Sequence, residues 1–132
     1  MIELFTLVDT KEQKHPSSRY GHSSIHYENK GNLIIIFGGC DSKAKFCKDL
    51  WIFNIEQNKW HDISTPFSPE GRNFHSSVIY KDDLYIFAGT SNGLYSDLYK
   101  FNLGKTKFFF FIKKKNNIYF WDLHSNHLVL DF

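Results

Sequence analysis

The segment Arg19-Tyr20-Gly21-His22-Ser23-Ser24 recurs 53 positions later as Arg72-Asn73-Phe74-His75-Ser76-Ser77. Two further segments recur in the same order: residues 34–39 match 84–89, and residues 49–53 match 97–101. The offset between the copies changes only across polar or glycine-bearing stretches, where surface loops tolerate insertions and deletions. The chain therefore contains two copies of one structural unit of about 50 residues.

Each unit carries four short runs of aromatic and β-branched residues separated by Gly, Asn or Asp. In the first unit these runs cover residues 23–27, 33–37, 50–55 and 59–63. Their composition and their length favour strands over helices. Four antiparallel strands in a repeat of about 50 residues are typical of a propeller blade. The sequence therefore predicts an all-β fold that contains two four-stranded blades.

The ordered pattern Arg-x-x-His-Ser, Gly-Gly, Asp-Leu-Trp/Tyr-x-Phe and a later Trp resembles the kelch repeat. The resemblance covers residues 19–108, with repeat 1 at 19–66 and repeat 2 at 67–108. The second repeat departs from the pattern at Ala88, in place of the first glycine, and at Phe108, in place of the tryptophan. The residues predicted to form the structural signature are His22, Gly38, Gly39, Trp51, Trp60, His75, Gly89 and Tyr99.

The flanking segments differ from the repeats. Residues 1–18 are predicted to supply, at residues 4–8, the last strand of a neighbouring or closing blade. Residues 109–132 form an atypical tail in which Lys, Phe, Ile, Asn and Tyr predominate up to Phe120. One hypothesis is that the tail from residue 105 is translated intron or a shifted reading frame. The alternative is a genuine hairpin, with strands at 118–123 and 127–132.

Two blades and a strand are fewer than a closed propeller contains, because propellers have typically four to eight blades. The sequence therefore predicts a fragment of a larger propeller, or a chain that must assemble. Unpaired blade edges and uncovered apolar faces would favour self-association.

Composition restricts the partners that the chain can have. The 132 residues carry a net charge of +2, which is too balanced to favour nucleic acid. The apolar runs are far shorter than the ~20 residues of a membrane helix, so no membrane partner is expected. Two cysteines make no disulfide framework, and Glu3 stands where a signal peptide carries basic charge. We therefore expect a cytoplasmic protein.

No catalytic, cofactor or metal site is predicted. Cys40 and Cys47 lack a second ligand pair, and His22 and His26 lie some 13 Å apart if they share a strand. Gly38-Gly39 precedes no phosphate-binding motif, and we expect these glycines to let Trp60 pack on the backbone. The pair Asp82-Asp83 is expected to form a hairpin turn.

Resemblance to kelch domains implies a partner surface on one rim, made by the loops between the second and third strands and between blades. The side chains expected to contact a protein partner are Arg19, Tyr20, Phe46, Arg72, Asn73, Phe74, Leu94 and Tyr95. The alternative for Arg19 and Arg72 is that they only brace loops through backbone hydrogen bonds.

Three functions are compatible with this reading. The first is a non-catalytic interaction module, a scaffold or adaptor, with actin among its candidate partners. The second is the substrate-recognition part of a ubiquitin ligase adaptor, which would bind a ligase client. The third, of another class, is an enzyme propeller of the copper-oxidase type.

Overall fold

A computed structural model describes residues 4–105, 109–114, 117–122 and 127–130, with side chains described over 4–104. This part of the chain is built from antiparallel strands and one 3-10 turn at Leu103–Lys105. Its described residues include no helix that is long and apolar enough to cross a membrane. The all-β prediction is confirmed.

The first blade is a four-stranded antiparallel sheet. Its strands, in spatial order, are β2 (Ser23–Tyr27), β3 (Leu33–Phe37), β5 (Leu50–Asn54) and β6 (Lys59–Asp62). A two-residue ribbon, β1 (Arg19–Tyr20) with β4 (Cys40–Asp41), lies beside it. Ser23 is paired with Phe37, and Phe37 with Leu50, so the loops that follow β3 and precede β2 meet at one end of the blade.

The second blade has three described strands, in the order β7 (Ser76–Tyr80), β8 (Asp83–Phe87) and β9 (Leu98–Asn102). A fourth strand was expected around Phe108, which lies outside the described residues. The next described strand, β10 (Phe109–Lys114), pairs with β11 rather than with β9. In the described residues the second blade is therefore three-stranded.

The tail forms a sheet of its own. Strands β10, β11 (Asn117–Asp122) and β12 (His127–Leu130) are joined in sequence order as an antiparallel meander. The predicted strands at 118–123 and 127–132 correspond to β11 and β12. The origin of residues 105–132, as coding sequence or translated intron, stays a prediction that sequencing of the transcript would decide: an uninterrupted reading frame in the mature message would reject the intron hypothesis.

Residues 4–18 contain no strand, which differs from the strand expected at residues 4–8. A strand needs a hydrogen-bonded partner, and no described strand pairs with this segment. Leu4, Phe5 and Leu7 are exposed. The segment is attached further along, where Gln13 accepts a hydrogen bond from the backbone N–H of Trp60 and Lys14 pairs with Asp62 at 2.9 Å.

The core lies between the two blades. Successive side chains of a strand point to opposite faces of its sheet. We call the face that is directed at the next blade along the chain the forward face. The opposite face is the rear face. The forward face of blade 1 packs against the rear face of blade 2. The buried core consists of Tyr27, Leu33, Ile35, Phe37, Leu50, Ile52, Leu84, Ile86 and Leu103.

Candidate interaction site

Each repeat places a buried arginine under the loops at one end of its blade, which we call the rim (residues 17–22, 38–49, 63–75 and 88–97). Arg19 donates hydrogen bonds to both carboxylate oxygens of Asp49, at 2.6 and 2.9 Å, and to the carbonyl oxygen of Gly38 at 2.9 Å. Its Nε also donates to the carbonyl oxygen of Ser17. Such a two-pronged pair fixes two loops in one geometry, because the guanidinium and the carboxylate match as planar forks.

The second repeat builds the same arrangement. Arg72 donates to both carboxylate oxygens of Asp97 and to the carbonyl oxygen of Ala88. Its guanidinium carbon also lies 4.2 Å from the ring centroid of Tyr95 and 5.5 Å from that of Tyr99. Cation–π contacts of this kind add to the ion pair.

These contacts correct the expectation that the two arginines are exposed anchors. Only 4% of the Arg19 side chain and 1% of the Arg72 side chain is exposed. Both arginines hold their loops through an aspartate carboxylate as well as through the backbone hydrogen bonds that the alternative named. Burial alone would raise the pKa of Asp49, but hydrogen bonds from Arg19 and Trp51 hold that pKa below its usual value. The hydrogen bond from Arg72 likewise lowers the pKa of Asp97.

The double glycine has a different role from the one expected. Trp60 packs against Trp51 and Phe53, with ring centroids 6.4 and 4.9 Å away, rather than on the glycines. Gly38 has φ +67°, and a Cβ there would lie 2.7 Å from the carbonyl oxygen of Arg72. The reason for glycine is therefore a left-handed backbone and the close approach of the next blade.

Gly39 also combines a left-handed backbone with a close neighbouring atom. Its φ is +95°, and a Cβ there would meet the carbonyl oxygen of Tyr20 at 3.0 Å. Gly89, its counterpart in the second repeat, has φ +98°. The Gly39 N–H donates to the carbonyl oxygen of Arg72 at 2.8 Å, so the glycine pair joins the two blades at the rim.

The signature histidines lie in different environments. His75 is buried between the blades, where its Nε2 lies 2.9 Å from the Ser23 hydroxyl and its ring meets Phe37 edge-on at 5.3 Å. Burial, with the nearby charge of Arg72, lowers its pKa to about 4. His22, the equivalent residue of the first repeat, is exposed. His75 therefore packs within the interface between the two blades.

The hydrophobic side chains of the rim remain available to a partner. Tyr20 is 58% exposed and Phe74 is 68% exposed, and their ring centroids lie 6.2 Å apart. Leu94 is 91% exposed at the tip of the loop after β8. That loop is joined to the inter-blade segment by two backbone hydrogen bonds of 2.9 Å between Asn73 and Thr90. The rim therefore presents apolar side chains on loops that are firmly held.

The other predicted contact residues are less accessible. Asn73 is buried, and its side-chain oxygen has no hydrogen-bond partner among the described residues. Tyr95 is half-buried over Arg72, and its hydroxyl is 2.8 Å from that of Ser91. Phe46 is half-buried between two shallow depressions of about 410 and 390 Å³. Gly71 permits this position of the loop, because a Cβ there would lie 2.2 Å from the carbonyl oxygen of Phe46.

The sequence reading missed the contacts at the opposite end of the blades. The Tyr27 hydroxyl donates to Asp82 at 2.6 Å, and Lys30 donates to the carbonyl oxygen of Gly104. Of the pair expected in the hairpin turn, Asp82 lies in the turn between β7 and β8, whereas Asp83 is the first residue of β8. The Asp82 carbonyl oxygen also accepts a hydrogen bond from the Leu103 N–H. The recurrence of tyrosine at positions 27 and 80 was the available signal for this contact.

The described residues contain no candidate metal centre. In that part of the chain, no three His, Cys, Asp or Glu side chains come together in a way that could hold a metal ion. Cys40 and Cys47 are buried, free thiols on either side of the loop after β3. Burial raises the pKa of the Cys47 thiol, which disfavours the nucleophilic thiolate.

Comparison with known proteins accounts for the repeated architecture. A family profile described as the KLHDC2/KLHL20/DRC7 Kelch-repeats domain matches residues 4–127. The chain belongs to the kelch-repeat family. The prediction made from the Arg-x-x-His, Gly-Gly and Asp-Leu segments is confirmed, and the match extends beyond the two repeats into both flanking segments.

Several curated kelch relatives share part of this chain. Human Kelch domain-containing protein 3 is 39% identical over 84 residues, which cover 54% of the chain and 22% of that protein. Tip elongation aberrant protein 3 of Schizosaccharomyces pombe is 31% identical over 98 residues, which cover 69% of the chain and 8% of that protein. The Leucine-zipper-like transcriptional regulator 1 homolog of Drosophila melanogaster is 33% identical over 78 residues, which cover 57% of the chain and 8% of that protein. The chain thus matches less than a quarter of the length of each of these relatives.

Proposed function

We propose that this kelch chain is a non-catalytic protein-interaction module, a scaffold or adaptor, whose rim binds a protein partner. The observation that carries the proposal is the exposed pair Tyr20 and Phe74, 6.2 Å apart, together with exposed Leu94. Exposed aromatic side chains in fixed positions are typical anchors of protein interfaces.

The braces beneath the rim support this role. Arg19–Asp49 and Arg72–Asp97 hold the loops that carry Tyr20 and Leu94, so little conformational entropy is lost when a partner binds. The arginines therefore act as positioning residues, and the contact residues are Tyr20, Phe46, Phe74, Leu94 and Tyr95. Asn73 contributes by fixing the loop after β8 rather than by contacting the partner.

The proposed location is the cytoplasm. The free thiols of Cys40 and Cys47 are compatible with a reducing compartment. The candidate partners of such a cytoplasmic adaptor are actin and the clients of a ubiquitin ligase. Identification of the proteins that the chain captures from extract distinguishes these candidates from other proteins.

The test is quantitative affinity capture from cytoplasmic extract with the wild-type chain and matched variants. The rim variant carries Tyr20→Ser and Phe74→Ser, and the control carries Ile55→Ser at the opposite end of blade 1, where the side chain is also exposed. We expect a set of proteins that the wild type and the Ile55 variant retain and that the rim variant loses by at least about tenfold. Equal recovery of that set by the rim variant would contradict the proposal.

A further inference from the structure

Positions that are equivalent in the two repeats differ sharply in burial on the forward face. Tyr27 is 4% exposed and Phe37 is 1% exposed, because blade 2 covers them. Their counterparts Tyr80 and Phe87 are 64% and 49% exposed. Leu50 is buried as well, whereas its counterpart Leu98 is 64% exposed. The forward face of blade 2 therefore exposes apolar side chains at positions that are buried in blade 1, and no described residue covers them.

Part of the rear face of blade 1 shows the complementary difference, whereas Trp51 on the same face is buried, with the Lys14 ammonium 5.6 Å from its ring centroid. In blade 2 the rear-face residues His75, Leu84 and Ile86 are buried against blade 1. Their counterparts in blade 1 are His22, which is exposed, and Ile34 and Ile36, which are half-buried. Each chain thus carries one forward face and one rear face that lack a described covering blade.

We propose that a second copy of this chain docks the rear face of its blade 1 onto the forward face of blade 2, repeating between molecules the interface that joins the blades within one molecule. The association is head-to-tail, so it closes into a ring if the rotation between copies permits. Two to four copies of the two described blades give the four to eight blades that propellers contain. This surface is distinct from the rim.

The side chains needed for the main contacts recur at the right positions. His75 bonds Ser23 and packs on Phe37 within the chain, and His22 of the second copy meets Ser76 and Phe87 in the same way. The Gly39 N–H donates to the carbonyl oxygen of Arg72, and the Gly89 N–H has Arg19 of the second copy as its acceptor.

The tyrosine contact also has a counterpart. The Tyr27 hydroxyl donates to Asp82 at 2.6 Å. The position equivalent to Asp82 in the first repeat is Asn32, whose side-chain oxygen is an acceptor. Tyr80 therefore finds a partner in Asn32 of the second copy.

Three departures make this interface weaker than the one within the chain. Asp83 and Lys100, paired at 3.5 Å, stand where blade 1 has Leu33 and Ile52. Ala88 stands where Gly38 approaches the Arg72 carbonyl oxygen, so its Cβ requires a small shift of the docked copy. A partly polar interface with one close contact is expected to be reversible and concentration-dependent.

The test is the mass of the full chain in solution, measured by sedimentation and light scattering across a concentration series. For the wild type we expect species of two to four times 15.6 kDa that dissociate on dilution. Phe87→Asp damages the forward face and His22→Asp the rear face, and each alone should weaken association by at least about tenfold. Both residues are exposed in the monomer, so both variants should fold, which circular dichroism verifies.

Mixing these two variants provides the sharper test. Each keeps the face that the other has lost, so the mixture should form a one-to-one heterodimer that cannot grow further.

Leu94→Asp on the rim should leave self-association unchanged while it weakens partner capture, which separates this proposal from the proposed function. Ala88→Gly should tighten self-association by at least about threefold by removing the close Cβ.

Three results would overturn the proposal. The first is a wild-type chain that stays monomeric throughout the series, and the second is assembly that survives both face substitutions. The third is a mixture of the two variants that stays monomeric under conditions where the wild type assembles.

Discussion

Arg72 donates a hydrogen bond to each carboxylate oxygen of Asp97, and the same two-pronged pair joins Arg19 to Asp49 in the first repeat. The repeated unit therefore contains, beneath its rim, an ion pair whose arginine is buried and whose carboxylate is about one-third exposed. Because the arginines are nearly inaccessible, their contribution to partner binding is the fixed geometry of the loops above them.

Arg72→Lys is expected to destabilise the chain by about 2 kcal/mol, because a lysine ammonium cannot match both oxygens of Asp97 and loses the stacking on Tyr95. Urea unfolding measures the change. The control is Lys14→Gln, which removes an ion pair whose lysine is 79% exposed and should cost less than about 0.5 kcal/mol. Equal changes in the free energy of unfolding for the two substitutions would mean that the buried ion pair of Arg72 stabilises the chain no more than an exposed one.

The braces also show where sequence reasoning was sufficient and where it was not. Recurrence located Arg19, Asp49, Arg72 and Asp97 in both repeats, but residues 25 to 30 positions apart can be paired only when the loops between them are placed. Joint recurrence of the arginine and the aspartate was the signal for the pair. The strand positions of the first repeat, by contrast, followed directly from local composition.

Burial could not be predicted by transferring one repeat onto the other. His22 and His75, or Tyr27 and Tyr80, occupy the same position in the repeat, yet one of each pair is buried and the other exposed. The difference arises from the adjoining blade, which acts through packing rather than through local sequence. The role of Gly38 was missed for the same reason, because the obstructing atom belongs to Arg72 of the next blade.

Gly38→Ala is expected to destabilise the chain by about 2–3 kcal/mol, from the left-handed φ and the clash with the Arg72 carbonyl oxygen. Ala88→Gly tests the same position in the second repeat. Ala88 has φ +59° without a described neighbouring blade, so glycine relieves only the backbone strain, by up to about 1 kcal/mol. Thermal unfolding compares the two. A harmless Gly38→Ala would contradict the close approach of the blades.

Stability is expected to fall as the pH is lowered from about 6.5 to about 4 because of His75. The folded state lowers the pKa of His75 to about 4, so the unfolded chain binds the proton first. The free energy of unfolding is therefore not reduced by this histidine above pH 6.5, where it is neutral in both states. Acidification from pH 6.5 to pH 4 lowers the free energy of unfolding by on the order of 2 kcal/mol. Urea unfolding at several pH values measures the loss.

His75→Gln isolates this contribution, because glutamine can still bond the Ser23 hydroxyl but does not titrate. His61, whose pKa is also lowered by burial, remains in both chains and cancels in the comparison. We expect the variant to have a flatter pH dependence than the wild type between pH 4 and 6.5. Parallel curves would show that folding does not lower the pKa of His75.

Tyr27→Phe is expected to cost about 1–2 kcal/mol, because it removes the hydroxyl that donates to Asp82 and joins the blades at the end opposite the rim. Burial, aided by Asp82, raises the pKa of Tyr27 well above its usual value, as expected for a hydroxyl held in its protonated form. The matched control is Tyr80→Phe, since Tyr80 occupies the same repeat position on an exposed face. At concentrations where the chain is monomeric, that control should change the unfolding free energy by less than about 0.5 kcal/mol. A Tyr80 effect as large as that of Tyr27 in the monomer would mean that its hydroxyl already has a partner within the chain, and that the forward face of blade 2 is covered by the chain itself.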